Sequence, residues 1–210
     1  MEIEMKAKLN DSQLSKLYKN YLEPFPKSCA FLVKRDTYFS LLGAKVEKPV
    51  TTIRLRDEES YKADKLLKSL ASLQSFVVTT DSEKLKSSVV LTIKKKSTDS
   101  SGIETNEETE CELAGDQLNS VKKLLQVMNY EPYFLKEKVA YSFYIQENMH
   151  AELEIVRDED HSSGIYLEIE SIVNDNPEEI TAAQNKIKDF FRYHLDISEF
   201  DGRSWAEILK

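Results

Sequence analysis

The chain has 210 residues, of which 40% are hydrophobic and 31% are charged, and its formal net charge is -8 at pH 7. This length can bury one sizeable core, so we expect a single domain over residues 1–210. The acidic balance argues against a general nucleic-acid coat and against an anionic membrane surface, so we expect neither partner, but a local basic pocket for a small polyanion stays possible.

The opening segment MEIEMKAKL alternates charged and apolar residues, which is typical of a β-strand with one face of each kind. The segment NDSQLSKLYKNYL then has apolar residues at helical spacing, with Asn10 or Asp11 as its N-cap, and the prolines of EPFP end it. Seven more strand-like segments follow, several of them separated by turn residues: CAFLVKRDTYFS, VTTIRLRDE, SVVLTIKKKS, NEETECEL, PYFLKEKVAYSFYI, HAELEIVRD and GIYLEIESIV.

Two further helices are predicted, at AGDQLNSVKKLLQVMN and at NPEEITAAQNKIKDFFRYHL. Eight strands are enough to close a barrel, and amphipathic helices need an apolar sheet face to cover. We therefore predict an α+β fold in which an eight-stranded, mainly antiparallel β-barrel has helices packed outside it. The stretch at about 59–88, helical in its first half and polar in its second, is predicted to be an excursion outside the barrel.

The cysteines and histidines do not form a recognisable metal or redox motif. Cys29 and Cys111 stand far apart in apolar settings, which predicts buried, reduced thiols. The three histidines share no metal-binding spacing and are expected to be solvated or capping residues: His150, His161 and His194. The first residues do not have the pattern of a signal peptide, and no run of about 18 apolar residues occurs, so we expect a cytoplasmic protein without a spanning helix.

Charged residues alternate along most of the predicted strands, so each strand carries them on one face. The pairs beyond the opening strand are Arg54 and Arg56, Lys94 and Lys96, Glu108 and Glu110, Lys136 and Lys138, Glu152 and Glu154, and Glu168 and Glu170. A single strand of this kind usually turns its charged face to water. Here the charges recur in nearly every strand, usually with one sign per strand, which favours a built site over a solvated surface.

The opposite faces of these strands are apolar, and the helices need such faces to cover. The apolar positions are Ile3, Met5, Ile53, Leu55, Ile93, Cys111, Leu113, Leu135, Val139, Leu153, Ile155, Leu167 and Ile169. A barrel that is apolar outside is charged inside, and because unpaired buried charges cost several kcal/mol each, the interior must be a wet tunnel. A polyphosphate with a divalent metal matches its charges, since Lys and Arg bind phosphate oxygens and carboxylates hold hard cations.

These segments resemble, in order, the motifs of one known superfamily. EIEMK is similar to the Glu-x-Glu-x-Lys signature of the CYTH, or triphosphate tunnel metalloenzyme, superfamily, and the similarity continues through DTYF, IRLR, LTIKK, EETE, LKEK, ELEIV and GIYLEIE over nearly the whole chain. The superfamily contains class IV adenylate cyclases, thiamine triphosphatases and inorganic triphosphatases. The closing GRSWAEIL resembles the Arg-Ser-Tyr-x-x-Leu-Leu ending of the class IV cyclases. Four residues differ from the usual pattern: Asn106, Lys138, Glu154 and Trp205.

The resemblance implies a set of functional residues. The cations would hold the triphosphate: Lys6, Arg54, Arg56, Lys94, Lys136 and Lys138. The carboxylates would hold one or two Mg²⁺ or Mn²⁺ ions: Glu2, Glu4, Glu168 and Glu170, helped by Glu108, Glu110 and Glu154. The N-terminal motif supplies the expected catalytic residues: Glu2, Glu4 and Lys6.

The resemblance also implies a function, with alternatives. The expected activity is adenylate cyclisation, in which the ribose 3′-hydroxyl of ATP attacks the α-phosphorus and pyrophosphate leaves. The first alternative is a triphosphatase acting on inorganic, thiamine or nucleoside triphosphate through a water activated by Glu2, Glu4 and metal. The second is a non-catalytic binder of polyphosphate or nucleotide. A homodimer is what the cyclase branch suggests, and Tyr38 and Phe39 are expected to pack in the core or to line a base pocket.

Overall fold

The protein forms a closed barrel of eight β-strands. The computed structural model describes residues 1–44, 51–64, 66–67, 83–98, 103–157 and 163–209. The strands are β1 (Glu2–Lys8), β2 (Ala30–Leu41), β3 (Thr51–Lys62), β4 (Lys84–Thr98), β5 (Glu104–Ala114), β6 (Tyr130–Gln146), β7 (Met149–Arg157) and β8 (Ser163–Ile172). Their order around the barrel is β1-β5-β4-β3-β2-β6-β7-β8, and every neighbouring pair is antiparallel. The predicted fold is confirmed.

The strand register brings the charged residues of all eight strands onto the inner face. Glu4 lies opposite Glu170, Lys94 opposite Glu108 and Arg54 opposite Tyr38. Directly opposed residues lie on the same face of the sheet. A residue that points into the barrel therefore has a partner on the next strand that also points inward. In most of the barrel the even-numbered residues face the interior and the odd-numbered residues face out.

Two helices cover one side of the barrel. The predicted first helix is α1 (Asp11–Leu17), continued by a π-helical turn (Tyr18–Leu22), and Asn10 is its N-cap in a capping box with Gln13. The helix α3 (Pro177–Leu195) is capped by Asn176, whose side chain accepts from the backbone N–H of Glu178 at 2.9 Å. Both helices pack against the outward residues of the strands in the main core, which includes Ile3, Met5, Leu153, Ile169, Ile187 and Phe191.

A third helix and a smaller core lie elsewhere on the outer surface. The helix α2 (Leu118–Val127) follows a 3-10 turn (Gly115–Gln117) and buries Leu125 against Phe39, Leu55 and Val89. Phe39 therefore packs in the core, which is one of the two roles expected of it, and does not line a base pocket. A short helix that the sequence patterns did not predict, α4 (Trp205–Ile208), ends the described chain. The backbone N–H of Asp201 donates to the carbonyl of Lys6 at 2.8 Å and so fixes this C-terminal segment beside β1.

Three outward residues are more exposed than predicted. Cys111 is exposed rather than buried, whereas Cys29 is buried as predicted, and both are free thiols. Ile93 and Leu135 are 47% and 69% exposed although the covered outer face was expected to include them. The reason is that the described helices cover parts of the barrel circumference and leave these positions on β4, β5 and β6 to solvent.

The predicted excursion at about 59–88 lies partly outside the described residues. Within the described part, β3 continues to Lys62 and β4 begins at Lys84. None of the helices in the described ranges has both the length and the apolar composition needed to cross a membrane.

Candidate active site in the barrel interior

The barrel encloses a cavity of about 980 Å³ lined mainly by charged side chains. Every residue predicted for the site lines it except Glu154: Glu2, Glu4, Lys6, Arg54, Arg56, Lys94, Glu108, Glu110, Lys136, Lys138, Glu168 and Glu170. Glu154 is fully buried, and its carboxylate forms ion pairs with Lys136 and Lys138. The structure thus brings together residues that are up to 168 positions apart in the chain, from Glu2 to Glu170.

One part of the cavity is an acidic cluster formed by Glu2, Glu4 and Glu108 around a single ammonium group. The Nζ of Lys94 lies 2.7 Å from Glu108, 3.0 Å from Glu4 and 3.3 Å from Glu2. Asn106, which is fully buried, donates its side-chain amide to Glu2 at 3.2 Å and to Glu4 at 3.3 Å. The amide and the ammonium hold the three carboxylates with their oxygens converging.

The acidic cluster carries more negative charge than Lys94 neutralises. Burial raises the pKa of Glu2 to about 8, a net value in which Lys94 opposes the rise and the carboxylates of Glu4, Glu108 and Glu170 add to it. Glu2 therefore keeps a proton at neutral pH when no other cation is present. Converging carboxylates that compete for protons are the ligand set that a hard divalent cation prefers, so the acidic cluster fits Mg²⁺ or Mn²⁺.

The raised pKa of Glu2 predicts a specific pH dependence of stability. An acid whose pKa is higher in the folded state than its ordinary value of 4.5 binds more protons when folded, so the free energy of unfolding falls as pH rises from about 4.5 through about 8. In metal-free buffer, wild-type protein should lose stability relative to Glu2→Gln over this window, measured by chemical denaturation at each pH. Parallel pH profiles for the two proteins would contradict the assignment.

A second part of the cavity is a basic cluster formed by Lys34, Lys136 and Lys138. The Nζ of Lys138 forms ion pairs with Glu152 at 3.4 Å, with Glu168 at 3.6 Å and with Glu154. Lys34 is paired with Glu152 and lies 3.6 Å from Glu58. All three lysine side chains are almost completely buried.

Burial disfavours the charged form of lysines in the basic cluster despite these ion pairs. Burial lowers the pKa of Lys136 to about 7 against the opposing effect of the Glu168 and Asp36 carboxylates, and Arg56 and Lys6 add to the lowering. Burial also holds the pKa of Lys138 well below its ordinary range, and the nearby cations Lys136 and Lys34 lower it further. Phosphate oxygens are charged acceptors, so contact with them would favour the protonated, charged form of these lysines.

A possible metal group at the basic cluster fits less well. Ligand atoms of Glu152, Glu154 and Glu168 lie within 4.8 Å of one another. The ammonium of Lys138 is already paired with all three carboxylates, and Glu154 does not line the cavity. A divalent cation would have to displace a lysine at either cluster. Lys94 in the acidic cluster is 17% exposed and all three of its carboxylates line the cavity, whereas Lys138 is 3% exposed. The Glu2, Glu4 and Glu108 cluster is therefore the more accessible metal site.

The two arginines of β3 differ in how they are held. Arg56 donates to both carboxylate oxygens of Asp36, at 2.7 and 2.9 Å, and against the cost of burial this guanidinium holds the pKa of Asp36 well below its usual range. Arg54 donates to the hydroxyl of Thr92 at 3.0 Å and to Glu110 at 3.2 Å, and Glu110 is half exposed. Arg56 is therefore fixed by a buried counterion, whereas Arg54 can exchange an exposed one for a ligand.

The C-terminal helix α4 places an indole among the cavity cations. The ring of Trp205 lies 3.7 Å from the Nζ of Lys136 and 5.1 Å from that of Lys6, and its N–H donates to Glu168 at 2.8 Å. Lys6 also donates to the backbone carbonyl of Arg203 at 2.8 Å. Trp205, noted in the sequence only as a departure from a motif, is thus part of the cavity wall.

Several lining residues were missed by the sequence analysis, although the alternation contained a signal for most of them. His150 was expected to be solvated or capping, but it lines the cavity and bridges Ser142 at 2.7 Å and Glu170 at 2.8 Å. It stands two residues before Glu152, on the same strand face. Lys34 and Asp36 could not be recognised as inward residues, because Arg35 between them is also charged and the strand does not alternate in polarity there.

No protein-family model and no curated protein matches this sequence, but solved structures share its fold. The PH1819 protein of Pyrococcus horikoshii is similar with a TM-score of 0.73 and 20% identity, covering 100% of this chain and 98% of that chain. A Hippeastrum protein provisionally assigned as an adenylyl cyclase, in which a dominant triphosphatase activity was found, has a TM-score of 0.63 and 15% identity over 100% of this chain and 95% of that one.

A third similar structure is a Vibrio parahaemolyticus protein provisionally assigned as an adenylate cyclase. Its TM-score is 0.61 and its identity 14%, covering 99% of this chain and 97% of that chain. At these identities the similarity establishes the barrel fold and its extent over the whole chain. Activity has to be argued from the site itself, because one fold can carry several chemistries.

Proposed function

We propose that this protein is a metal-dependent tunnel enzyme that acts on a triphosphate, and that it converts ATP to cyclic AMP and pyrophosphate. The observation that carries the proposal is the separation of charge within one cavity. The acidic cluster sets three carboxylates around one ammonium. The basic cluster brings three buried ammoniums into another part of the same cavity. A magnesium triphosphate has the complementary distribution, with a cation at one place and a chain of anionic oxygens beside it.

The basic cluster and the arginines would bind the phosphates. Lys136 and Lys138 would gain full charge on contact with phosphate oxygens, and Lys6 faces the same space from β1. Arg54 can form paired hydrogen bonds to phosphate once it leaves Glu110, a geometry that lysine does not offer. Arg56, fixed by Asp36, presents a rigid charge rather than a mobile one.

The acidic cluster would hold the divalent cation. Glu2, Glu4 and Glu108 supply the converging oxygens, and Glu170, paired with His150, lies opposite Glu4 on the neighbouring strand. A bound Mg²⁺ or Mn²⁺ would neutralise developing charge on the attacking and leaving oxygens of the phosphoryl transfer. Lys94, which holds the three carboxylates in the ligand-free protein, would be free to turn toward a phosphate oxygen.

The size of the cavity favours a nucleoside triphosphate over inorganic triphosphate as the substrate, and cyclisation requires a nucleoside. The cavity volume of about 980 Å³ lies at the upper end of the range for small-molecule sites and exceeds what a triphosphate chain needs, so a nucleoside can be enclosed with the phosphates. In the reaction, the bond between the ribose 3′-oxygen and the α-phosphorus would form as the hydroxyl proton passes to an ionised carboxylate such as Glu4. The bond from the α-phosphorus to the bridging oxygen of pyrophosphate would break. Holding the ribose in line with that bond is the main task of the site.

Triphosphatase activity is the second candidate. The observation in its favour is the Hippeastrum protein, which has a similar fold and a dominant triphosphatase activity. In this reaction a water beside Glu2 and Glu4 would attack the terminal phosphorus, and no group would need to hold a base or a ribose. The two candidates share the phosphate and metal residues and differ only in what else the cavity holds.

A product assay separates these functions. Purified protein is incubated with ATP and, separately, with inorganic triphosphate, in Mg²⁺ or Mn²⁺, and cyclic AMP, pyrophosphate and orthophosphate are quantified. We expect cyclic AMP and pyrophosphate in equal amounts from ATP, with inorganic triphosphate acting as a competitive inhibitor. Rapid release of orthophosphate from triphosphate without cyclic AMP from ATP would replace cyclase by triphosphatase, and tight binding without turnover of either compound would leave only a binding protein.

A further inference from the structure

The cavity contains a group of aromatic side chains that phosphate and metal do not need. Tyr38, Tyr133 and Phe134 line it near the barrel end where β2 finishes and β6 begins. The ring centroids of Tyr38 and Phe134 are 5.5 Å apart, and those of Tyr38 and Tyr133 are 6.4 Å apart. We call these three residues the aromatic wall. The planes of Phe134 and Tyr133 are inclined to that of Tyr38 by 39° and 59°, so the three rings do not form a flat stack.

A β-bulge creates the aromatic wall. Between β2 and β6, Tyr38 lies opposite Phe134, but the next residue, Phe39, lies opposite Pro132, so Tyr133 is an extra residue without a partner in the ladder. A regular strand would turn Tyr133 outward beside Leu135, which is 69% exposed. The bulge turns it into the cavity instead, so that two consecutive residues of β6 face the same space. Bulges of this kind re-aim side chains next to functional sites.

Core packing does not account for the aromatic wall. Its three rings are half-buried and belong to neither of the apolar cores in the described part of the chain. Phe39, the neighbour of Tyr38, packs in the core under α2, whereas Tyr38 points the other way. Aromatic surface inside an otherwise charged cavity has no counterpart in a phosphate chain or a metal ion. It fits a ligand with a planar apolar face.

We propose that the aromatic wall binds the base of a nucleoside triphosphate whose phosphates occupy the cationic part of the cavity. The proposal rests on the proposed function, because it assumes that the phosphates bind in this cavity. Arg54 lies directly opposite Tyr38 on the adjacent strand, and Arg56 follows on the same face of β3. A base against the wall therefore places its phosphates on Arg54 first and then toward Lys136. Aromatic stacking makes the site selective for nucleotides over inorganic triphosphate.

Calorimetric titration tests the proposal with two triphosphate ligands, only one of which carries a nucleoside. The ligands are adenosine 5′-(α,β-methylene)triphosphate, which cannot release pyrophosphate by cyclisation, and inorganic triphosphate, both with Mg²⁺. Loss of base stacking on an aromatic residue costs about 5- to 100-fold in affinity. We expect Tyr133→Leu to weaken nucleotide binding by about that factor, the double variant Tyr133→Leu with Phe134→Leu to weaken it more, and triphosphate binding to stay within about twofold.

Two control variants distinguish the ring from its surroundings. Tyr133→Phe keeps the ring and should bind both ligands like the wild type. Tyr193→Leu removes an aromatic side chain that is 71% exposed on α3 and should change neither affinity. Unchanged nucleotide binding by the double variant would overturn base binding by the aromatic wall and leave the proposed function intact. An equal loss of affinity for both ligands would do the same, because it would indicate a structural role for these residues. Failure of the wild type to bind either ligand overturns the proposed function as well.

Discussion

Replacing Glu4 by Gln is expected to lower turnover of the triphosphate substrate by about 100-fold or more, at saturating Mg²⁺ or Mn²⁺. Glu4 is buried in the acidic cluster, and against the penalty of burial, Lys94 holds its pKa below the ordinary value, so it is ionised and available to a cation. The amide of Gln has one oxygen and no charge, so the variant keeps the shape of the site and loses most of its attraction for a hard cation.

A matched substitution on the outer face of the barrel provides the control. Glu107 neighbours Glu108 on β5, but its side chain is 62% exposed and pairs with Lys95 on the outside. Glu107→Gln should retain wild-type turnover, and both variants should show cooperative unfolding by circular dichroism. Retention of more than about a tenth of the activity in Glu4→Gln would show that the acidic cluster does not hold the catalytic metal.

Replacing Glu154 by Gln is expected to lower the free energy of unfolding by about 3 to 5 kcal/mol, because it removes one partner of a buried set of ion pairs. Glu154 is fully buried, lies 3.7 Å from Lys136 and is paired with Lys138. In this account Glu154 neutralises the basic cluster from behind, and the metal-binding role that the resemblance implied for it stays a prediction. Because Gln is nearly isosteric with Glu, the loss of stability would come from the removed charge and not from altered packing.

A ligand-dependent measurement tests the same residue in a second way. Because the basic cluster has lost a counterion in Glu154→Gln, inorganic triphosphate should raise the melting temperature of this variant by more than it raises that of the wild type. Glu137→Gln, an exposed position on the outer face of β6, should leave both the stability and the ligand effect unchanged. Wild-type stability in Glu154→Gln would mean that Lys136 and Lys138 do not depend on this carboxylate.

The barrel and most of its lining were predictable because a strand alternates with period two. In segments such as IRLR and ELEIV, each charged residue is separated from the next by one apolar residue, so the inward face can be read directly. Asn10 was predictable as a cap for a similar reason, since capping depends on residues only a few positions away.

The features that escaped prediction depend on contacts between distant segments. The bulge that turns Tyr133 inward is a mismatch between β2 and β6, and neither strand alone shows it. The short helix α4 brings Trp205 against Lys136 only because Asp201 pairs with the backbone of Lys6, from the other end of the chain. The division of the interior into acidic and basic clusters likewise follows from the order of strands around the barrel, which local patterns do not determine.

The central claim, that the charged interior is a site for a metal-bound triphosphate, is tested most directly by calorimetric titration of the wild-type protein with inorganic triphosphate at pH 7. The account predicts binding of one triphosphate per chain, tighter with Mg²⁺ than with the metal chelated, and at 100 times the dissociation constant a stabilisation against unfolding of about 2.7 kcal/mol. Absence of any heat of binding and of any shift in melting temperature at millimolar triphosphate, with or without metal, would contradict it.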